Sequence, residues 1–212
     1  MTLTKQNRPY LAIDLDDVTA KCNQKALEIY NEENGTNYVL SDLTSWDFND
    51  GMLTQIYTRP ELYSNLEVVE NAQDVIAYLQ GYFKVIFVTA SPNKESTFAK
   101  YAWVEKHFPS IGHAGMISTT HKHLIQAFAL IDDSPKNITH YPNGYRIVMD
   151  KPYNQNLLEG IDYDFRVTNW LEIKSLFKKL ITAELVSPAP YLQPSIPTIH
   201  FCEKPMRIGD HL

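Results

Sequence analysis

Five short apolar runs, separated by stretches with helical periodicity, constrain the fold of this chain more than any other feature of its sequence. The runs lie at residues 10–13, 84–88, 116–118, 128–131 and 146–149. Most are rich in strand-forming residues and carry few polar groups, as is typical of strands that are buried on both faces. Strands that alternate with helices form βαβ units, so the sequence predicts an α/β fold with a parallel sheet.

Apolar side chains recur with helical spacing between most of these runs. Ala72, Val75, Ile76 and Leu79 lie at i, i+3, i+4 and i+7, and residues 101–108 and 170–180 follow a similar pattern. This spacing lines one face of a helix. We therefore expect helices that cover the sheet.

The interval between the first and second runs is about seventy residues long, whereas a βαβ unit is usually complete within about 30 residues. It contains a helical stripe that begins at Cys22 and that Gly35 can end, followed by many aromatic residues. We interpret residues 18–72 as a small helical cap inserted into a core of residues 1–17 and 73–182. Residues 183–212 form a predicted C-terminal tail whose prolines disfavour a long helix.

Composition narrows the possible partners. Hydrophobic residues make up 44% of the chain and charged residues 21%, values that are typical of a globular domain. The formal net charge of −6 argues against a surface for duplex nucleic acid, which would need clustered cations. Two widely spaced cysteines, Cys22 and Cys202, support neither a disulfide framework nor a zinc ribbon. We expect a cytoplasmic protein with no export signal and no membrane anchor.

Three carboxylates, Asp14, Asp16 and Asp17, follow the first apolar run directly. Open α/β sheets bind ligands at the carboxyl ends of their strands. Residues two apart in an extended chain point to the same side, so Asp14 and Asp16 can converge on one hard cation. The alternative is an acidic turn or helix cap with no ligand.

A second acidic pair, Asp132 and Asp133, follows the apolar run at residues 128–131 and repeats this arrangement. A metal ion held by Asp14, Asp16 and Asp132 would account for both clusters. Mg²⁺ is the expected ion because it commonly binds a few carboxylates together with phosphate oxygens.

Groups that could bind phosphate follow the run at 84–88, where Thr89, Ala90 and Ser91 precede a predicted helix. Lys122 lies ten residues before Asp132 and could reach back to the carboxylates. Helix capping by Thr89 or Ser91 and an exposed Lys122 are the simpler alternatives. His121 and His123 flank Lys122, and we interpret them as exposed loop residues rather than metal ligands.

The order IDLDD, VTAS and then a lysine ten residues before IDD resembles the four motifs of the haloacid dehalogenase (HAD) superfamily. The resemblance implies a three-layer Rossmann-like fold with strand order 3-2-1-4-5. It also implies that Asp14 is the nucleophile, Asp16 the general acid and base, and that Thr89 and Lys122 hold the phosphoryl group. Asp132 would then coordinate Mg²⁺, with Asp133 beside it or acting through water.

The segments EIYNEENGTNYVLSDLTSWDF, YTRPELYSNLEVVENAQDVI and KYAWVEKHF are similar to the 5'(3')-deoxyribonucleotidases. By that resemblance the aromatic residues Trp46, Phe48 and Tyr63 are candidates for stacking against a nucleobase. An equally simple interpretation is that these rings form the core of the cap itself. The chain departs from many family members at Asp17, which stands where they have glycine; Asp tolerates left-handed backbone better than most residues.

The resemblance implies Mg²⁺-dependent hydrolysis of nucleoside monophosphates through an aspartyl-phosphate on Asp14. Homodimerisation is expected by resemblance alone. Two alternatives remain open: a HAD phosphatase that acts on another small metabolite, and a non-catalytic nucleotide-binding protein that keeps the fold.

Overall fold

The computed structural model describes residues 8–186, which form one six-stranded parallel sheet flanked by helices. The strands are β1 (Tyr10–Ile13), β2 (Lys84–Thr89), β3 (Met116–Ser118), β4 (Ala129–Asp132), β5 (Tyr145–Met149) and β6 (Phe165–Val167). Their order is β3-β2-β1-β4-β5-β6. This confirms the predicted α/β class and the 3-2-1-4-5 order.

The sixth strand is an addition to the predicted five. β6 pairs with β5 from Ile147 to Met149, in parallel register with Phe165 to Val167. Its three residues include Arg166 and a partly buried Phe165, so Val167 is the one buried residue of the segment. Short edge strands of this kind carry little sequence signal.

Eight helices accompany the strands within the described residues. They are α1 (Cys22–Asn34), α2 (Phe48–Gly51), α3 (Thr54–Tyr57), α4 (Pro60–Ser64), α5 (Ala72–Leu79), α6 (Lys94–His107), α7 (Pro135–Thr139) and α8 (Trp170–Val186). As expected, α1 ends at Gly35, whose φ of 64° is left-handed. None of the helices in residues 8–186 is long and apolar enough to cross a membrane.

The core lies between the sheet and its helices. The central strands β1 and β4 contribute fully buried residues such as Leu11 and Leu130, and α8 contributes Trp170 and Phe177. The Trp170 indole also donates a hydrogen bond to the carbonyl oxygen of Val18, at 2.9 Å. This contact ties the loop that follows β1 to the helical layer beneath it.

A helical insert, comprising α1 to α4, separates β1 from β2 along the chain. The segments that lead into and out of the insert are hydrogen-bonded to each other. Ala20 and Val68 form an antiparallel bridge, and the Val69 amide donates to the Thr19 carbonyl at 2.8 Å. The limits 18–72 for a separate cap remain a prediction. The Pro-rich part of the predicted tail, from residue 187 onward, lies outside the described residues.

Candidate active site

A cavity of about 420 Å³ opens where the ends of the central strands meet the helical insert. We call its strand-end side the floor, formed by Asp14, Asp16, Ala90, Ser91, Lys122 and Asp133. We call the side formed by the insert the roof, which includes Leu43, Trp46, Phe48, Leu53 and Tyr57. The floor brings together residues that lie far apart in the sequence.

Asp14 is fixed at the end of β1. Its backbone amide continues the sheet by donating to the Ile131 carbonyl at 2.9 Å, and its own carbonyl accepts from the Thr19 hydroxyl at 2.8 Å. Only 6% of the residue is exposed. Burial raises the pKa of the Asp14 carboxyl well above its usual range, although Lys122 opposes this shift.

Lys122 forms an ion pair with both acidic clusters. Its Nζ lies 2.6 Å from Asp14 Oδ1 and 2.7 Å from Asp132 Oδ2. Burial works against its charge, but Asp132 and Asp14 outweigh that effect and raise the pKa of Lys122. The ammonium therefore remains charged at the centre of the floor.

Asp132 already uses both carboxylate oxygens. Oδ1 accepts from the Ser134 amide at 2.9 Å and from Asn137 Nδ2 at 3.2 Å, while Oδ2 accepts from Lys122 and from the same Asn137 group. The side chain is completely buried and does not line the cavity. It acts as the anchor of Lys122.

Asp133 faces the cavity. The Tyr153 hydroxyl donates to its Oδ2, and the residue is 3% exposed. Burial, followed by the nearby charges of Asp132 and Asp17, raises the pKa of Asp133 to about 8. Sequence reasoning missed Tyr153, which lies in a short 3₁₀ turn, Pro152–Asn154, with no motif of its own.

The cluster of three carboxylates at this point is consistent with a site for a divalent metal ion. One oxygen from each of Asp14, Asp132 and Asp133 lies within 4.8 Å of the other two, although both Asp132 oxygens also accept hydrogen bonds. One ammonium, that of Lys122, does not balance three buried carboxylates, so a divalent cation would neutralise the remaining charge. An all-oxygen donor set suits Mg²⁺.

Asp16 lies apart from this group and pairs with Lys100 at 2.5 Å. The Lys100 ammonium also donates to Thr89 Oγ1 at 3.0 Å and to the Ala90 carbonyl at 2.5 Å, and it lies 4.8 Å from the centre of the Tyr63 ring. Lys100 is only 2% exposed. Sequence reasoning missed it.

No apolar pattern in the sequence marks Lys100. On α6 the buried positions are Ser96, Lys100, Trp103 and Val104, whereas Phe98 is exposed, so apolar residues alone do not reveal the buried face of this helix. A lysine on a buried face needs a buried partner. That partner, Asp16, lies 84 residues away in the sequence.

The residues predicted to bind phosphate at the end of β2 differ in whether they face the cavity. Thr89 is fully buried and its hydroxyl accepts a hydrogen bond from Lys100, whereas Ala90 and Ser91 line the cavity. The Ser91 hydroxyl accepts from Ser118 at 3.3 Å. Direct contact between Thr89 and a phosphoryl group remains a prediction.

Asp17 adopts the left-handed backbone that glycine would favour, with a φ of 58°. Its Oδ1 accepts the Asn23 amide at 2.8 Å and so caps the start of α1. Burial raises the pKa of Asp17 to about 7, against the opposing effects of Lys151 and the Asn23 amide. The turn after Asp16 is therefore retained without glycine.

The three predicted stacking residues all line the cavity but differ in exposure. Trp46 is 58% exposed and its ring lies edge-on to Tyr153, with centroids 5.5 Å apart. Phe48 packs against Tyr38, and Tyr63 is buried with its hydroxyl donating to the Tyr57 carbonyl at 2.9 Å. Tyr63 thus also belongs to the interior of the insert, whereas Trp46 is the most open of the three.

A parallel sheet of this order, with an insert after β1 and paired carboxylates at the ends of β1 and β4, is the HAD-like fold. Solved structures agree on the fold. A haloacid dehalogenase-like family hydrolase from Streptococcus pneumoniae matches 81% of this chain and 99% of its own, with a TM-score of 0.56 and 12% identity. The hydrolase YfnB from Bacillus subtilis, determined bound to magnesium, matches 80% of this chain and 98% of its own, with a TM-score of 0.54 and 14% identity.

Sequence comparison defines the family. The family model described as "5' nucleotidase, deoxy (Pyrimidine), cytosolic type C protein" matches residues 8–185. The 5'(3')-deoxyribonucleotidases of Bacillus subtilis and of Bacillus phage SPbeta are each 31% identical over 169 residues, which cover 77% of this chain and 95% of theirs. The chain therefore belongs to the 5'(3')-deoxyribonucleotidase family of phosphomonoester hydrolases.

Proposed function

We propose that this protein uses Mg²⁺ to hydrolyse the 5'- or 3'-phosphate of deoxyribonucleoside monophosphates, releasing nucleoside and inorganic phosphate. The observation that carries the proposal is the pairing of Lys122 with both Asp14 and Asp132, next to Asp133. One ammonium and three carboxylates at the end of a parallel sheet supply a nucleophile, a cation site and a positive group for phosphate.

Asp14 is the proposed nucleophile. A carboxylate oxygen attacks phosphorus, the bond from phosphorus to the ester oxygen breaks, and an aspartyl-phosphate forms. The burial of Asp14 and its short contact with Lys122 support this role, since both limit the motion of the carboxylate. Lys122 also offsets the negative charge that nucleophile and phosphate bring together.

Asp14 and Asp133 are the proposed cation ligands that face the cavity. Bound Mg²⁺ would neutralise charge on the transferring phosphoryl group. Asp132 would act through Lys122, because its own oxygens are already occupied by hydrogen bonds. Asp16, which the sequence also suggested as a ligand, has its carboxylate turned toward Lys100 instead.

Asp16 is the proposed general acid and base. It would give a proton to the departing nucleoside oxygen and later accept one from the water that attacks the aspartyl-phosphate. Both steps require a carboxylate held at one position beside the reacting atoms. Lys100 supports this role because it is anchored by Thr89 and Ala90 and holds Asp16 at 2.5 Å.

The residues of the roof support the proposal that the leaving group is a nucleoside. Trp46 presents a largely exposed indole at the cavity, and a flat ring of this kind can stack on a nucleobase. The names of the two Bacillus relatives support deoxyribonucleotides as substrates. We further propose a cytoplasmic location, which the cytosolic description of the family supports, and a homodimer, which rests on family resemblance.

Phosphate release from a panel of substrates tests this proposal. Deoxyribonucleoside 5'- and 3'-monophosphates should show the highest kcat/KM in Mg²⁺ and fall to background in EDTA, with ribonucleotides and sugar phosphates as comparison substrates. A higher kcat/KM for a sugar phosphate would favour the metabolite phosphatase. Nucleotide binding with no phosphate release in Mg²⁺ would favour the non-catalytic alternative.

A further inference from the structure

The 3₁₀ turn Pro152–Asn154, which follows β5, holds Asp133 at two points. Asn154 Nδ2 donates to the main-chain carbonyls of Asp133 and Met149, each at 2.9 Å. The Tyr153 hydroxyl donates to Asp133 Oδ2. Both Asn154 and Tyr153 are buried, so one turn holds both the backbone and the carboxylate of Asp133.

Asp133 and its neighbour Asp132 differ in how their carboxylates are occupied. Asp132 has partners on both oxygens. Within residues 8–186, the Tyr153 hydroxyl is the side-chain group that hydrogen-bonds to the Asp133 carboxylate. A donor on one oxygen restricts rotation of the carboxylate and leaves the other oxygen available to the cluster with Asp14.

Tyr153 also contacts the roof. Asn23 on α1 donates from Nδ2 to the Tyr153 hydroxyl at 3.5 Å, and Asn23 Oδ1 accepts from the Tyr57 hydroxyl. The Trp46 indole packs edge-on against the ring of Tyr153. One tyrosine therefore contacts both a carboxylate of the floor and the aromatic residue most open to substrate.

We propose that Tyr153 is a positioning residue whose hydroxyl orients Asp133 for divalent-cation binding. The inference rests on the proposed Mg²⁺-dependent function and extends it to a residue outside the four HAD motifs. Hydrogen bonds to the ligands of a metal ion commonly alter affinity by about 10- to 100-fold. The effect of Tyr153 falls on affinity for the cation rather than on the chemical step.

Tyr153→Phe tests this role because it removes the hydroxyl and keeps the ring against Trp46. We expect the Mg²⁺ dissociation constant, measured by calorimetry without substrate, to rise about 10-fold. The increase in melting temperature on adding Mg²⁺ should shrink accordingly, and kcat at saturating Mg²⁺ should stay within about threefold of wild type.

Tyr163→Phe is the matched control. Tyr163 is as buried as Tyr153, at 7% and 8% exposure, but its hydroxyl accepts from Arg166 and does not line the cavity. This variant should bind Mg²⁺ as wild type does. Asn23→Ala is a second variant that keeps the bond between Tyr153 and Asp133, and it should change Mg²⁺ affinity less than threefold if the hydroxyl acts through Asp133.

The results separate this inference from the proposed function. Wild-type Mg²⁺ affinity in Tyr153→Phe would overturn the role of Tyr153, as would an equal loss of affinity in Asn23→Ala. Failure of the wild-type protein itself to bind Mg²⁺ or to release phosphate would instead overturn the proposed function. Melting curves in EDTA establish that each variant is folded before its affinity is compared.

Discussion

The floor of the cavity carries charged side chains that are mostly buried, whereas the roof is built from short helices and turns and carries an exposed aromatic ring. Lys122 on the floor is 2% exposed and binds the fully buried Asp132 behind it at 2.7 Å. On the roof Trp46 is 58% exposed, and the nearby segment Phe48–Gly51 contains left-handed residues at Asn49 and Asp50. The aromatic ring that the roof presents to the cavity is thus far more exposed than the ion pair beneath the floor.

This difference matches two separate tasks. Phosphoryl transfer requires charges that are already in position, because moving them during the reaction would cost free energy. Recognition of a flat base requires an aromatic surface to stack on and tolerates small changes in the position of that surface. We therefore expect floor substitutions to lower kcat and roof substitutions to raise KM.

Asp14→Asn should have the largest effect. The amide cannot act as a carboxylate nucleophile, so Mg²⁺-dependent phosphate release should fall by about 10⁴-fold or more. Asp74→Asn, on the exposed face of α5, is the matched control and should keep full activity. Full activity in Asp14→Asn would contradict the role of Asp14 as the nucleophile.

Lys100→Met should have the next largest effect. It removes the group that holds Asp16 and leaves a side chain of similar length on α6. We expect kcat to fall about 10²- to 10³-fold, within the range that general acid and base catalysis usually contributes, with a smaller change in KM. Lys106→Met, at an exposed position of the same helix, should leave kcat unchanged. Equal values of kcat for the two variants would contradict the role assigned to Lys100.

Trp46→Ala should raise KM for nucleotides about 10-fold and change kcat little, because stacking on an aromatic residue contributes about 1–3 kcal/mol per base. The KM for a sugar phosphate should not change. Phe98→Ala removes another exposed ring, 69% exposed on α6, and serves as the control. A parallel rise in KM for both substrate classes would show that Trp46 does not distinguish bases.

Asp17→Asn should alter stability in a pH-dependent way in EDTA. The pKa of Asp17 is about 7 in the folded protein, above its unfolded value, so the stability it contributes is present at low pH and is lost as pH rises toward 7. Asn keeps the acceptor for the Asn23 amide and tolerates left-handed backbone. We therefore compare the melting temperature of the variant minus that of wild type at two pH values. This difference should be about 2–8 °C larger at pH 8 than at pH 5. A difference that does not vary with pH would contradict this.

The sequence predicts the floor better than the roof. Parallel strands end at one edge of a sheet, and the resemblance to the HAD superfamily supplies the strand order that makes β1 and β4 neighbours and so brings Asp14 and Asp132 together. Lys100 and Tyr153 were missed because their partners, Asp16 and Asp133, are distant in the chain and no motif marks the pairs. The pairing of β6 with β5 was also missed, because β6 is too short to be recognised from its sequence pattern.

The roof was predicted only as a helical insert rich in aromatic residues. Its composition does not distinguish a ring that faces the cavity from one that packs inside the insert, and Tyr63 does both. The left-handed backbone at Asn49 and Asp50 cannot be predicted from the spacing of apolar residues, because such a turn depends on local backbone geometry.

A crystal structure with Mg²⁺ and beryllium fluoride, which mimics a phosphoryl group on a carboxylate, tests the central claim most directly. We predict beryllium bonded to a carboxylate oxygen of Asp14, a cation between Asp14 and Asp133, and Lys122 next to a fluorine atom. Fluoride density away from Asp14, or a cation bound without Asp14 and Asp133, would contradict the account.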